Sequence, residues 1–307
     1  MTRSVSLGAV RALGVNLWGA ACACRLLLTW RPDVVLGTGG YASAAVMFAA
    51  AALGRLRRIP IVMHEANAVP GRVNRLLGRY CRRVAVTFED TLRWFPPAIG
   101  VCVGLPIRPE VGWADPAVAR REFQLQENRL TLAVVGGSGG AQSLNRAVLA
   151  ALPLLEATAP TRFQIVHQTG RSHFDAVREA APTLDWYHPT AYIEWMPSLL
   201  AAADLICCRT GSSTLAEVAA AGLPALLVPY PHAVADHQTQ NARILADAGA
   251  GILIPDAEFT GERLVVALEQ LEQDRARLES MAAASRSLAR PQAAEEVAHL
   301  LREVARG

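Results

Sequence analysis

The sequence predicts an α/β protein built from two parallel-sheet domains. Short apolar segments alternate with helical patterns along most of its 307 residues, and continuous apolar runs of this kind are typical of strands covered on both faces. One stretch with two prolines and no periodicity, Leu105–Asp115, interrupts this alternation and indicates a domain boundary. Three turns that follow predicted strands are rich in glycine and polar residues, at the sheet edge where open α/β folds bind ligands.

The composition narrows the class of protein. Hydrophobic residues make up 52% of the chain and charged residues 19%, which is typical of a globular protein with a large core. The formal charge of +3 does not favour a nucleic-acid partner. None of the six cysteines shows the C-x-x-C spacing of a zinc site, so we expect reduced thiols and no bound metal.

The first domain is predicted to span residues 1–113 and to be joined by a final helix, 292–304. Two long apolar helices are expected in it, Leu7–Trp30 and Ala42–Leu53. The first carries two arginines and the second is shorter than the ~20 residues of a membrane span, so both are expected to be helices of a soluble domain. The predicted strands are Asp33–Leu36, Ile59–Met63, Arg83–Val86 and Val101–Val103.

Eight arginines and a single acidic residue, Glu65, lie between Arg55 and Arg83. The arginines are residues 55, 57, 58, 72, 75, 79, 82 and 83. They form either solvated helix faces or a surface for anionic lipid headgroups or a pyrophosphate. On charge alone, solvated helix faces are the favoured interpretation.

The second domain is predicted to span residues 114–288, after the boundary stretch. Its predicted strands are Leu130–Val135, Phe163–His167, Leu205–Cys208, Ala225–Val228 and Gly251–Ile254. A short helix, Ala117–Phe123, is expected before the first of them. The alternation of strand and helix favours parallel pairing with right-handed crossovers.

The strongest local signal is the segment LTLAVVGGSGGAQSLN, between Leu130 and Asn145. Its apolar strand ends in a glycine-rich loop, and a helix starts at about Ala141. Glycines allow close approach of the backbone to a ligand, and a helix N-terminus presents free N–H groups to phosphate. The loop is neither G-x-G-x-x-G nor a Walker loop, so a tight turn without a ligand stays an alternative. The loop residues are Gly136, Gly137, Ser138, Gly139 and Gly140.

Two further loops follow strands in the same way. RTGSSTLAE feeds a helix that Ser212 could cap, with Glu217 on its second turn. A carboxylate there could accept two ribose hydroxyls. VPYPHAVADHQTQN supplies polar groups suited to a sugar, among them Gln238. Capped helices without a ligand are the alternative for both.

Together, the motifs resemble the MurG family of transferases, glycosyltransferase family 28. In the second half these are GGSGGAQSLN, YIEWM, RTGSSTLAE and AAAGLPALLVPYPHAVADHQTQNA; in the first half they are GTGGYAS, HEANAVPGRVNRLL and VGLPIRPEV. The similarity extends from about Pro32 to Ile254. Each glycine loop is weak alone, but the order of the motifs is specific.

The resemblance implies the GT-B fold, in which two Rossmann-like domains face each other across a cleft, here with an incomplete N-terminal domain. It implies inverting transfer of N-acetylglucosamine from UDP-GlcNAc to undecaprenyl-pyrophosphoryl-MurNAc-pentapeptide, lipid I to lipid II, in peptidoglycan synthesis. The enzyme would be peripheral, at the cytoplasmic face of the bacterial membrane, with an anionic membrane surface as partner. No cofactor is expected, since UDP-GlcNAc is a substrate and the sequence has no D-x-D pair.

Residue roles follow from the same resemblance. Ser138 would contact the donor phosphates, Ile193 would meet the uracil through its backbone, and Gln238 would contact the transferred sugar. Asn67 and Arg108, from the first domain, would close on the donor and its diphosphate. The remaining donor-site residues would be Ser212, Ser213, Thr214, Leu215, Ala216 and Glu217, with Glu217 on the ribose.

The chain also departs from the family pattern. Family members begin with a loop GGTGGH, whose histidine is a favoured catalytic base, and this chain has none; Tyr41 stands at the corresponding place of its GTGG loop. We therefore expect that roughly 70 residues, about two βα units, are absent. We prefer the interpretation that the gene start is misassigned or the gene is truncated. The chain as written is then expected to fold poorly or to lack turnover while retaining its donor domain. His64 of HEAN, where the family usually has HEQN, is then the candidate base or an acceptor-site residue.

Rival functions remain. The chain is alternatively an inactive or truncated donor-binding remnant, or another GT-B enzyme such as a glycolipid-forming transferase or a UDP-GlcNAc epimerase. The motifs HEANAVPGRVNRLL and VGLPIR disfavour the epimerase, which would need further acid and base residues.

Overall fold

The structure, a computed structural model, describes residues 7–57, 59–158 and 162–306. The chain divides into two compact units, one formed by Met1–Pro106 with Gln292–Gly307, the other by Ile107–Pro291. Each unit contains one sheet of parallel strands. Arg108 belongs to the second unit, although the sequence had placed it before a boundary at residue 113.

The first unit is a four-stranded sheet in the order β1-β2-β3-β4. Its elements are α1 Leu7–Trp30, β1 Val35–Gly37, α2 Gly40–Arg57, β2 Ile61–Glu65, α3 Arg72–Gly78, β3 Arg83–Val86, β4 Gly100–Cys102 and, from the end of the chain, α12 Ala293–Arg306. On one face of the sheet, residues of α1 and α2 such as Leu27 and Met47 pack with Met63. On the other face, α12 contributes Val297, Leu300 and Val304, which share one side of the helix.

The second unit is a six-stranded sheet in the order β10-β9-β8-β5-β6-β7. Its helices are α4 Pro116–Glu122, α5 Gln142–Thr158, α6 Phe174–Ala180, α7 Met196–Ala202, α8 Ser212–Ala221, α9 His237–Asp247, α10 Gly261–Gln273 and α11 Arg275–Ser287. Its strands are β5 Leu130–Val135, β6 Phe163–Gln168, β7 Tyr187–Thr190, β8 Leu205–Cys208, β9 Ala225–Leu227 and β10 Gly251–Leu253. The chain moves outward from β5 through β6 to β7, then returns to β8 and moves outward the other way.

All nine predicted strands are present, each within two residues of its expected ends. The prediction omitted β7, Tyr187–Thr190, and this was an error. This strand contains Pro189, and proline has no N–H to donate to a β-ladder, so the sequence pattern does not predict a strand there. It is tolerated here because β7 is the edge strand of its sheet and pairs only with β6.

The two long N-terminal helices expected from the sequence are present as α1 and α2. Within the part of the chain that the structure describes, no helix has the length and hydropathy required to cross a bilayer.

Candidate functional site

The topology of the second unit defines one place for a ligand. The strand order reverses between β5 and β8, which are neighbours in the sheet but lie on the two outward branches of the chain. In open parallel sheets, a crevice forms at this point, outside the carboxyl ends of the strands. The glycine loop 136–140 follows β5 and the turn Arg209–Gly211 follows β8. Two of the three loops selected from the sequence therefore border the switch point.

The glycine loop is docked on the end of β6. Gly140 has a φ of +74° and lies against the carbonyl of Thr169, and Gly170, with a φ of +90°, lies against the carbonyl of Gly139. A side chain at Gly140 or Gly170 would collide with main-chain atoms. The loop consequently presents its backbone, with Ser138 exposed at its tip.

Helix α8 starts at the switch point without a side-chain cap. Its N-cap residue is Gly211, and among the described residues no side chain accepts a bond from the N–H groups of the first turn. The prediction that Ser212 caps the helix was wrong, since Ser212 is the first helical residue. The first N–H groups of a helix have no acceptor within it. In α8 they are available to an anion at the end of β8.

Arg209 connects the loops around the switch point. Its Nη1 lies 2.6 Å from Asp256 Oδ1 and donates to the Val228 and Pro229 carbonyls at 3.1 and 2.9 Å. Its Nη2 donates to Ser143 Oγ at 2.7 Å. The side chain is 11% exposed, so these bonds are shielded from water. One guanidinium therefore fixes the start of α5, the loop after β9 and the turn after β10.

The third loop is tied to the second through Gln238. The Gln238 Oε1 accepts bonds from the main-chain N–H groups of Thr210 and Tyr230, at 3.2 and 2.9 Å. The Thr210 hydroxyl donates to the Gln238 carbonyl at 2.7 Å. None of the described residues accepts a bond from Gln238 Nε2, which leaves a donor for a ligand hydroxyl.

Glu217 is a half-buried carboxylate on the second turn of α8. Burial raises its pKa above the usual value, and the charge of Arg108 opposes that shift. Glu217 and Arg108 belong to the same unit. The pair places one acceptor and one cation near the start of α8, suited to hydroxyl and phosphate groups respectively.

Replacing Glu217 with glutamine is expected to separate stability from binding. Because its folded pKa is raised, the ionised carboxylate is disfavoured in the folded state, and stability is lost as pH rises through that pKa. Glu217→Gln should therefore be at least as stable as the natural protein at pH 7, while UDP-GlcNAc binds about tenfold more weakly. Chemical denaturation and a substrate titration measure both. Glu179→Gln, an exposed control on α6, should change neither; a destabilised Glu217→Gln would contradict the argument.

A buried polar network lies beneath the glycine loop. His167 Nδ1 is 2.9 Å from the Tyr187 hydroxyl and its Nε2 is 3.0 Å from Asn145 Oδ1. Asn145 Nδ2 donates to the Thr169 carbonyl at 3.0 Å. Burial lowers the pKa of His167 from 6.5 to about 3, so the ring is neutral. The network joins the first turn of α5 to β6 and β7.

This network predicts acid sensitivity. Since the folded pKa of His167 is depressed, stability is lost as pH falls from 6.5 towards about 3, by up to about 1.4 kcal/mol per pH unit. His167→Gln, which retains a donor and an acceptor, should flatten that dependence in denaturation curves between pH 7 and 4. The control His232→Gln, at an exposed position, should retain the wild-type slope; equal slopes for all three proteins would contradict the assignment.

In the first unit, two predicted site residues lie at the carboxyl end of β2. His64 is buried, and its Nε2 lies 2.8 Å from the Gly104 carbonyl. Burial lowers its pKa, which the bond to Gly104 and the charge of Glu65 oppose. Asn67 donates through its main-chain N–H to Glu65 Oε1 at 3.0 Å. The role of His64 as base stays a prediction, and a base there would act through Nδ1.

Sequence reasoning missed three residues of this architecture. Arg209 stands in the quoted motif RTGSS, directly after a buried strand, and that position was its signal. Glu65, which is 2% exposed, accepts bonds from Asn67 and from Asn74 Nδ2 at 2.6 Å; its signal was the HEAN motif. Gln168 had no signal beyond its place at a strand end.

The fold and the loops at the switch point define a class, the nucleotide-sugar-binding proteins of GT-B fold. The crystal structure of Acinetobacter baumannii MurG superposes with a TM-score of 0.77 at 33% identity, covering 94% of this chain and 78% of that one. A Neisseria meningitidis UDP-GlcNAc 2-epimerase, at 15% identity and a TM-score of 0.68, shares the fold. The predicted GT-B class is thus confirmed.

Family models identify the particular family. The glycosyltransferase family 28 C-terminal domain matches residues 131–297, and its N-terminal domain matches residues 1–86. The chain belongs to glycosyltransferase family 28, and the predicted resemblance is confirmed.

Curated relatives agree with this membership. One from Desulforamulus reducens is 38% identical over 305 residues, which are 97% of this chain and 80% of the relative. One from Moorella thermoacetica is 43% identical over 281 residues, or 89% and 74% of the two chains. Both are named UDP-N-acetylglucosamine–N-acetylmuramyl-(pentapeptide) pyrophosphoryl-undecaprenol N-acetylglucosamine transferase.

Proposed function

We propose that this protein transfers N-acetylglucosamine from UDP-GlcNAc to lipid-linked muramyl-pentapeptide, converting lipid I to lipid II in peptidoglycan synthesis. Its family relatives carry the name of that activity. The observation that carries the proposal is the construction of the switch point. A backbone-lined glycine loop and an uncapped helix start meet there, and Arg209 fixes the loops around them.

This construction suits a diphosphate leaving group. Main-chain N–H groups at a helix start stabilise negative charge without a metal, and the side chain of Arg108 adds a cation beside Glu217. Among the described residues, no group of three or more histidine, cysteine, aspartate or glutamate side chains is arranged to hold a metal. UDP departs as the acceptor hydroxyl attacks the anomeric carbon with inversion.

The proposed donor contacts follow the family motifs. Ser138 and the loop glycines take the diphosphate, Glu217 takes the ribose hydroxyls, and Gln238 takes the sugar through its free Nε2. Ile193 takes the uracil through its backbone. Asn67 is proposed as a further donor contact, and residues 212–216 line the site.

A proton must leave the attacking hydroxyl, and His64 is the proposed base. Its Nε2 is held by Gly104, which fixes the ring and leaves Nδ1 for the proton. His64→Gln should lower kcat by more than tenfold while leaving the KM for UDP-GlcNAc within twofold, as is typical when a general base is lost. A purely structural role would instead appear as a lower unfolding midpoint with unchanged kcat in the folded fraction.

An anionic membrane surface is the proposed location of the acceptor, at the cytoplasmic face. Exposed Trp18 and Trp30 on α1 support it, together with the exposed arginines Arg72, Arg79 and Arg82. Arg58 and the side chains of Arg55 and Arg57 lie outside the described residues. Sedimentation with anionic vesicles should fall when Arg79 and Arg82 are changed to glutamate; unchanged sedimentation would exclude this surface.

The deciding experiment incubates the purified chain with UDP-GlcNAc and a short-chain lipid I analogue. Release of UDP with formation of the β-linked disaccharide supports the proposal. Binding of UDP without transfer identifies a donor-binding remnant. Formation of UDP-N-acetylmannosamine identifies an epimerase, and transfer only to a diacylglycerol acceptor identifies a glycolipid-forming enzyme.

A further inference from the structure

One buried side chain spans two of the donor-site loops. Gln168 is the last residue of β6 and is 2% exposed. Its Nε2 donates to the Gly137 carbonyl in the glycine loop at 3.0 Å. Its Oε1 accepts the main-chain N–H of Ile193, in the segment after β7, also at 3.0 Å. The amide therefore links the loop after β5 to the segment after β7.

The same strand offers an internal comparison. Gln164 is 1% exposed and lies four residues earlier, so it points to the same face of β6. Its amide bonds to Gln126 and to Thr131, at the amino end of the sheet. Buried amides must be hydrogen-bonded to be tolerated, and Gln164 meets that need far from the switch point. Gln168 meets it with main-chain groups of two loops at the switch point.

The bond to Gln168 determines which group Ile193 can offer a ligand. Its N–H is engaged, and none of the described residues donates to its carbonyl. A peptide held in this way accepts a hydrogen bond but does not donate one. Uracil carries a donor at N3, where cytosine carries an acceptor, so a lone carbonyl distinguishes these bases.

We propose that Gln168 is a positioning residue that sets base specificity: it holds the Ile193 peptide with its carbonyl free for a base bearing an N3–H, and couples that peptide to the diphosphate-binding loop. This inference rests on the proposed donor site and adds a residue to it. The ligand class is a uridine diphosphate ester, whose base is bound by the Ile193 peptide and whose diphosphate is bound by the loop that contains Gly137.

The test compares dissociation constants of UDP and CDP, measured by calorimetry, for the natural protein and three variants. Gln168→Met removes both bonds at similar volume and should weaken UDP about tenfold, with a smaller loss for CDP, so that the UDP-to-CDP preference falls. Gln168→Glu keeps an acceptor for Ile193 but loses the bond to Gly137, and should weaken both nucleotides while retaining the preference. The control Gln164→Met should lower the unfolding midpoint and retain the preference.

Each further outcome is decisive. A Gln168→Met protein with unchanged UDP affinity and preference would overturn the inference and leave the donor site standing. If Gln168→Met does not fold, Gln168→Glu decides, since wild-type UDP affinity in that variant would also overturn it. Failure of the natural protein to bind UDP would overturn both the donor site and this inference.

Discussion

Replacing Gly140 with alanine is expected to abolish UDP-GlcNAc binding and to lower the free energy of unfolding by about 2–4 kcal/mol. Gly140 has a φ of +74°, a conformation that costs alanine energy, and its added Cβ would collide with the Thr169 carbonyl. The loop can relieve the collision only by leaving the end of β6, which displaces the backbone N–H groups proposed to bind the diphosphate. Urea denaturation and a UDP titration measure the two losses.

Gly139 supplies the matched control one residue away. A Cβ there would meet no atom within 4 Å, and its φ is not positive. Gly139→Ala should keep the unfolding free energy within about 0.5 kcal/mol of the natural value. Equal stability of the two alanine variants would show that the loop is not docked as described.

Replacing Arg209 with methionine is expected to cost about 3–4 kcal/mol of stability and at least a hundredfold in kcat/KM. Asp256, 18% exposed, would lose its cation, and the Val228 and Pro229 carbonyls would lose a donor. Ser143, at the start of α5, would lose the bond from Arg209 and keep only its own bond to Asp256 Oδ1, at 2.7 Å. Denaturation and steady-state kinetics with varied UDP-GlcNAc measure the effect.

A double variant separates the cost of the unpaired Asp256 carboxylate from the cost of the lost hydrogen bonds between the loops. In Arg209→Met with Asp256→Asn, the unpaired carboxylate is gone, so part of the stability should return while kcat/KM stays low. Arg171→Gln is the matched control, since the Arg171–Glu194 pair is 68% and 80% exposed and such pairs contribute little. A stable Arg209→Met protein with normal kinetics would refute the role given to this residue.

The sequence predicted the sheets well because a strand covered on both faces leaves a continuous apolar run. The strand Tyr187–Thr190 was not predicted because it contains Pro189, which cannot donate a hydrogen bond to a ladder. An edge strand tolerates this proline because it needs hydrogen bonds on one side only. The site divides along similar lines. The glycines at strand ends could be selected from the sequence, because only glycine permits such a close approach of the backbone.

The side chains that hold the loops together could not be predicted in the same way. The partners of Arg209 lie at the start of α5, in the loop after β9 and in the turn after β10, and only the folded sheet brings these distant segments within hydrogen-bond distance. Gln168 and Gln164 are chemically identical in the sequence; their different partners follow from which end of β6 each occupies. The capping role given to Ser212 failed because the helix begins one residue earlier than the serine pattern suggested.

The absence of a side-chain cap at the N-terminus of α8 links the stability of this protein to its ligand. The N-cap of α8 makes no side-chain hydrogen bond, and the substrate's anion is proposed to bind there, so the protein without ligand is expected to be less stable than the protein with ligand bound. An aspartate at Gly211 should add roughly a few tenths of a kcal/mol to the stability of the empty protein, and its carboxylate would compete with the substrate's anion for the same N–H groups. The free energy of unfolding of this protein is therefore expected to rise with the concentration of its nucleotide-sugar ligand.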